Sequence, residues 1–183
     1  MKINNLPTLT WNFLKLNYAD AEIFSELEND IKVNIKNKPE GVEIDEAAFI
    51  HSEISGGMGE EAEKFFASMN EKTLHISTRE GVASDEPVRI DFEYPGGKSS
   101  VLRIFIEAAD NSQVNIILNH IGEGEDTSFT GLDIKADIGS GAKVKLVNTN
   151  LMGKGNVYFE NIGSRVGERS QFSLIQMELG STQ

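Results

Sequence analysis

Three histidines, two aspartates and two glycine-rich stretches are the residues of this chain whose types and spacing could do chemistry. His51-Ser-Glu53 and His120-Ile-Gly-Glu123 each set an imidazole near a carboxylate, and Glu125 and Asp126 follow the second. Either could offer two ligands to a divalent metal. Neither spacing matches a zinc signature. His75 has no such neighbour close behind it in sequence. Of the three histidines, His120 is the leading candidate metal ligand. It follows the apolar run Val114–Leu118 and precedes the acidic turn Gly122-Glu-Gly-Glu-Asp126, so a solvated strand end is expected there. Asp133 and Asp137 stand four apart in a strand-like segment and share a face. Paired carboxylates hydrolyse glycosides. Lys135 shares their parity while Leu132, Ile134 and Ile138 alternate with them, which is the pattern of a solvated outer face.

Pro95-Gly-Gly-Lys-Ser99 contains the Gly-Lys-Ser of a phosphate loop. Phe92 stands where that loop needs its first glycine, and no helical pattern follows, so a turn is expected. Gly56-Gly57-Met58-Gly59 precedes a helical pattern at Glu60 and is expected to be a flexible lead-in that needs no anion. There are no cysteines, which removes disulfides, zinc ribbons, thiol nucleophiles and thiolate-held clusters from this chain. No catalytic residue is assigned, and no cofactor-binding residue can be named.

The elements that would position these residues fall into two parts. Residues 1–70 read as a mixed helical segment. Asp20–Leu27, Asp45–Ile50 and Glu60–Met69 have helical spacing, the last with Ala62, Phe65, Phe66 and Met69 on one side. Ile31–Ile35 alternates as a strand, and Lys38-Pro-Glu-Gly41 is a turn signal. Residues 71–183 read as strands throughout: Leu74–Ile76, Val88–Phe92, Val101–Ile106, Val114–Leu118, Leu132–Ile138, Val144–Val147, Val157–Phe159 and Phe172–Ile175. Phe65, Phe66, Phe105 and Phe159 are expected in the core. The net charge of −12 disfavours nucleic acid and anionic membranes as partners. No apolar run is long enough to span a bilayer, and the N-terminus does not read as a secretory signal. A cytoplasmic location is expected.

The strand-rich part repeats itself. Asn111-Ser-Gln-Val-Asn-Ile116, Gly141-Ala-Lys-Val-Lys-Leu146 and Arg169-Ser-Gln-Phe-Ser-Leu174 share one shape, a turn residue and a small residue before apolar alternation. Ser112, Ala142 and Ser170 recur at intervals of 30 and 28 residues, a solenoid period. A second strand fits between consecutive copies, so each period supplies one coil. A small residue at a tight corner and inward-stacking apolar positions favour a right-handed parallel β-helix. A β-sandwich or jelly roll is the alternative.

The segments now quoted resemble the SufB/SufD family of iron–sulfur cluster assembly proteins. Thr73–Ile90 is similar to the entrance of that family's core, with its Gly81-Val82 pair and Glu86-Pro-Val88. Arg103-Ile-Phe-Ile-Glu-Ala-Ala-Asp-Asn-Ser-Gln-Val114 resembles the strand and corner that follow. Ile138-Gly-Ser-Gly-Ala-Lys-Val144 and Arg169-Ser-Gln-Phe172 resemble its recurring corners. The resemblance covers roughly residues 60 to 183 and implies a right-handed parallel β-helix. It also implies a scaffold role beside a SufC-like ATPase and a SufB/SufD paralogue or a second copy. An iron–sulfur cluster on the full complex is implied by resemblance only.

The chain departs from the family pattern in three places. It reaches Gln183 where family members continue, Gly180-Ser181 stands for the usual Gly-Gly, and the proline usual before Gly81 is absent. A shortened form or a short, divergent paralogue is expected, with the family's cluster residues and ATPase-docking helices outside it, so no functional residue is carried over. The expectation is a non-enzymatic scaffold whose Gln171–Glu178 segment mediates association. The alternatives are a β-helical carbohydrate-active enzyme using Asp133 and Asp137, or a generic β-domain binding a metal or ligand at His120.

Overall fold

The computed structural model describes residues 2–3, 18–20, 27, 29–47, 53–69, 72–122 and 127–181. Apolar alternation from Leu74 onward produces eight strands that wind into a β-solenoid of about four coils. The coils are β5 (Thr73–Thr78) with β6 (Val88–Tyr94), β7 (Ser100–Ala108) with β8 (Gln113–Gly122), β9 (Ser128–Ile138) with β10 (Lys143–Leu151), and β11 (Asn156–Val166) with β12 (Gln171–Glu178). All eight strands read from the sequence are present, each extended by a few residues. They form two sheets, one running β12-β10-β8-β6 and the other β11-β9-β7-β5, parallel throughout. Single-residue register holds across coils, as in Gln113↔Lys143↔Gln171.

The repeat seen in the sequence is a stack of corners. Gly81, Asn111, Gly141 and Arg169 all have positive φ, between 58° and 71°. Each is followed by an amide that closes a turn onto the carbonyl three residues back, for example Ala142 N to Gly139 O at 3.2 Å and Ser112 N to Ala109 O at 3.2 Å. Successive corners are themselves bonded, Asn111 N to Ser140 O at 2.9 Å and Gly141 N to Glu168 O at 2.8 Å. Ser112 and Ala142 are buried where one corner lies on the next. The interior is filled by inward columns such as Val88–Ile116–Leu146 and Ile104–Ile134, every one of these residues 1% exposed or less.

Strands β3 (Lys32–Asn37) and β4 (Val42–Ala47) close the first coil. Each runs antiparallel, β3 onto β6 and β4 onto β5, so two consecutive strands cover one edge of each sheet. That hides two rows of backbone donors and acceptors that would otherwise invite pairing. The expected helix over Asp45–Ile50 is overturned for Asp45–Ala47, which end β4; residues 48–50 lie outside the described set. The sequence Val-Glu-Ile-Asp-Glu-Ala alternates, and pairing with β5 overrides its helical propensity. Of the helix expected over Asp20–Leu27, Asp20 belongs to β2 (Ala19–Asp20), paired with β1 (Lys2–Ile3). Leu27 forms a bridge with Ser99, and residues 21–26 lie outside the described set.

The one helix among the described residues, α1 (Glu60–Ser68), lies as expected and covers the outer face of the β11-β9-β7 sheet. Its Ala62 and Phe66 pack on Val101, Phe129 and Phe159, with Phe66 stacked on Phe159 at 5.5 Å. Phe65 is half-buried and meets Phe129 edge-on. Phe105, expected in the core, points outward against His75. The segment before α1 is not a flexible lead-in. Gly57 N bonds Ile162 O at 3.1 Å and Met58 N bonds the Asn161 side chain at 3.2 Å. Gly163 has no side chain because the Ser55 carbonyl occupies the place of a Cβ. Gly163→Ala is expected to lift residues 53–58 off the sheet and cost roughly 1–3 kcal/mol. The urea midpoint and the rate of proteolysis within 53–69 check this, since both should change together.

Candidate functional site

Three inward columns turn from apolar to polar as the coils advance. Ile90–Leu118 gives way to Asn148 and Gln176, Phe92 to His120, Asn150 and Glu178, and Leu102–Leu132 to Glu160. The result is a continuous polar strip inside the later coils. His120 is fully buried and stacked on Phe92 at 5.1 Å. It therefore does not sit at a solvated strand end; the inward alternation of Val114, Ile116 and Leu118 simply continues to it. Tyr94 Oη lies 2.8 Å from Nδ1 and Asn148 Oδ1 lies 2.9 Å from Nε2. An amide oxygen only accepts, so Nε2 carries the proton and Nδ1 accepts from the Tyr94 hydroxyl. Burial lowers the His120 pKa to about 4, against the opposing Asn148 bond, so the ring is neutral. Burial likewise raises the Tyr94 hydroxyl, which keeps it a donor.

The strip continues to Glu160. Its carboxylate accepts from Tyr158 Oη at 2.6 Å and from the side-chain amides of Asn148 and Gln176. Burial raises its pKa despite these donors, and Glu178 nearby pushes the same way. Asn150 ends the strip on Glu178 at 2.7 Å and Ser181 at 2.8 Å. Chemically, this is a fixed chain of donors and acceptors in which each group is satisfied by its neighbour. Both His120 ring nitrogens are engaged, so neither offers a lone pair to a metal. Among the described residues no group of three His, Cys, Asp or Glu could hold a metal ion. Glu123, Glu125, Asp126 and His51 lie outside the described residues.

Asp133 and Lys135 are on the outer face, as their parity requires, but that face is not solvated. Asp133 is 2% exposed and Lys135 is 5% exposed. Asp133 Oδ1 accepts from Lys135 at 3.1 Å and Asn161 at 3.0 Å, and Oδ2 lies 3.5 Å from Arg103. Lys135 Nζ also donates to Glu63 of α1 at 2.6 Å, and Glu63 accepts from Gly56 N at 2.5 Å and Asn161 at 2.8 Å. Helix α1 and its lead-in are what dry this face. Burial raises the Asp133 pKa, while Lys135 and Arg103 pull it back down. Asp137 is paired separately with Arg165. The two aspartates therefore do not converge on a cleft, and Asp133 cannot reach a substrate. No signal within one strand could have shown this cluster; it is set by Glu63 and Asn161 from distant segments. His75 lies between Asp45 and Glu107, at 3.4 and 3.0 Å, on the surface of β4, β5 and β7. Pro95–Ser99 is the turn between β6 and β7, with Gly97 at φ 69° and a strand, not a helix, after it.

One feature of the site faces outward. Strands β11 and β12 are the last strands of their sheets among the described residues, with the Ile162 carbonyl of β11 accepting from Gly57 N. Along and beside β12, Leu174, Ile175, Met177 and Leu179 are 38 to 65% exposed.

The model of the family described as "SUF system FeS cluster assembly, SufBD core domain" matches residues 92–183, half of the chain. The chain belongs to the SufBD core-domain family. The matched stretch contains the polar strip from Tyr94 onward and the Asn111, Gly141 and Arg169 corners. Neither the curated proteins nor the solved structures gave a match. The SufBD core domain is part of the SUF iron–sulfur assembly system, and members of the SufB/SufD family are generally scaffold proteins rather than catalysts. With no cysteine, this SufBD-core chain supplies no thiolate to a cluster as cargo. No helix among its described residues is long and apolar enough to cross a membrane.

Proposed function

We propose that this SufBD-core chain is a non-enzymatic scaffold subunit of a cytoplasmic SUF machinery. In this reading it joins a SufB/SufD paralogue or a second copy through its last coil and works beside a SufC-like ATPase. The observation that carries the reading is the pair of terminal strands β11 and β12. No further strand pairs with either among the described residues, and Leu174 and Phe172 lie at the mouth of the interior. At the other end of the solenoid the equivalent edges are closed by the antiparallel strands β3 and β4. Two incoming strands, one for each sheet, can close β11 and β12 in the same manner.

Light scattering after size exclusion should give a dimer for the chain alone, or co-elution with a SufC-type ATPase or a SufB/SufD paralogue of the same genome. Leu174→Lys should return the chain to monomer while leaving its melting temperature within a few degrees, since Leu174 is already 38% exposed. A monomer at high concentration that also co-elutes with neither partner would overturn the reading.

A further inference from the structure

The two sheets of the solenoid have different outer faces. The β11-β9-β7 sheet has an apolar pad, Val101, Phe129 and Phe159, and α1 lies on it with Ala62 and Phe66. At the edge of that pad Lys135 meets a carboxylate of the helix, Glu63, at 2.6 Å. The β12-β10-β8 sheet carries the same two ingredients with no helix among the described residues. Its outward columns are Ile117–Val147–Ile175 and Ile121–Leu151, the latter continued by Leu179 after β12, and between them runs Asn119–Thr149–Met177, so the apolar surface is continuous along β12. Ile175, Met177 and Leu151 are 41–42% exposed and Leu179 is 65% exposed. A solvated sheet face ordinarily alternates to polar residues, and a contiguous apolar patch marks an interaction surface. Directly beside the patch Lys143 and Lys145 project from β10, and a shallow cleft of about 210 Å³ lies between them, Gln113, Asn115, Gln171 and Ser173. Neither lysine makes an ion pair within the described residues, in a chain of net charge −12.

We infer that the outer face of the β12-β10-β8 sheet docks an amphipathic helix of a partner protein, with acidic residues along the flank that meets Lys143 and Lys145. The face of the opposite sheet shows what such a helix looks like: small and aromatic residues downward, Glu60, Glu61 and Glu63 in its first turn. A second copy of this chain is the poorer occupant. A two-fold contact would bring the same face to itself. The carboxylates on that face are already held: Asp91 by Asn119, Lys36 and Arg89, and Glu93 by Lys32 and Asn34. Lys143 and Lys145 would find no partner there.

The test uses the full chain and two fluorescent synthetic helices of about five turns each. Both carry Leu at i, i+3, i+4 and i+7 spacing; one has Glu along the flank and the other has Lys there. The Glu helix should bind, and the Lys helix should bind at least about tenfold more weakly. Lys143→Glu combined with Lys145→Glu, two exposed positions, should invert that preference. Val147→Lys should weaken both helices without altering the oligomeric state. The inference is overturned by absent binding, by equal binding of the two helices, or by a preference that survives the double charge reversal. A change of oligomeric state with Val147→Lys would also overturn it, since a second copy would then occupy the face. The edge reading above is judged by Leu174→Lys, which leaves Val147, Lys143 and Lys145 in place, so the two ideas can fail separately.

Discussion

Acidification from neutral pH to about 4 is expected to cost the fold about 3 kcal/mol through His120 alone. In the unfolded chain this imidazole titrates near 6.5, whereas in the folded interior it does so at about 4. Above 6.5 both states hold the ring neutral and the contribution is fully present. Between 6.5 and about 4 the unfolded state gains a proton that the folded state refuses, so stability falls as pH falls. Below about 4 the folded ring is protonated too and the slope ends. Glu160 acts with the opposite sign: its raised pKa lets the folded state keep a proton that the unfolded carboxyl has released, so acidification through the carboxylate range favours the fold. The two effects overlap, and they separate by mutation. Urea unfolding of wild type and His120→Phe at a series of pH values measures the difference directly. His120→Phe should be less stable at neutral pH, because the Tyr94 hydroxyl and the Asn148 oxygen lose their partner at roughly 1–3 kcal/mol each. Its stability should no longer fall between pH 6.5 and 4. A His120→Phe protein with the full wild-type pH slope would show that the slope arises elsewhere.

The same residue shows how far the sequence could be read. The parity that buries His120 is visible in Val114, Ile116 and Leu118, and the period that stacks the coils is visible in Ser112, Ala142 and Ser170. Both follow from local periodicity, which a solenoid preserves because each coil contacts only its neighbours. The acidic residues after His120 suggested solvent, but the strand runs on to Gly122. Asp133 and Lys135 fail differently. Their outward parity was legible, yet the helix that covers them comes from some seventy residues earlier, with Lys135 and Glu63 separated by 72 positions. No periodicity within β9 carries that information. Asp45–Ala47 fail for a related reason: helical spacing there competes with an edge of β5 that is built later in the chain. What sequence reading missed is therefore the covering of the solenoid by its own N-terminal part, at both the first coil and the helix-covered face.

The cluster beneath α1 supplies the second large effect. Asp133→Leu is expected to destabilise the chain by roughly 3–5 kcal/mol, because it leaves Arg103 and Lys135 buried with one carboxylate fewer. The loss should not stay local. Lys135 also anchors Glu63, and Glu63 and Asn161 hold the backbone of Gly56 and Met58. Limited proteolysis should therefore open first within residues 53–69, before the coils unfold. Desolvation opposes every buried ion pair, so removing both partners is far less harmful than removing one. Asp133→Leu with Arg103→Met should accordingly recover part of the loss, which a double-mutant cycle would read as coupling of the two sites. An acid or base acting on a saccharide would behave otherwise: its removal would spare or even raise stability, and substitution of Arg103 would rescue nothing. If Asp133→Leu keeps the wild-type urea midpoint, the cluster does not hold the helix. If it falls and is partly restored by Arg103→Met, Asp133 is part of the architecture that fastens α1 to the solenoid rather than an acid or base.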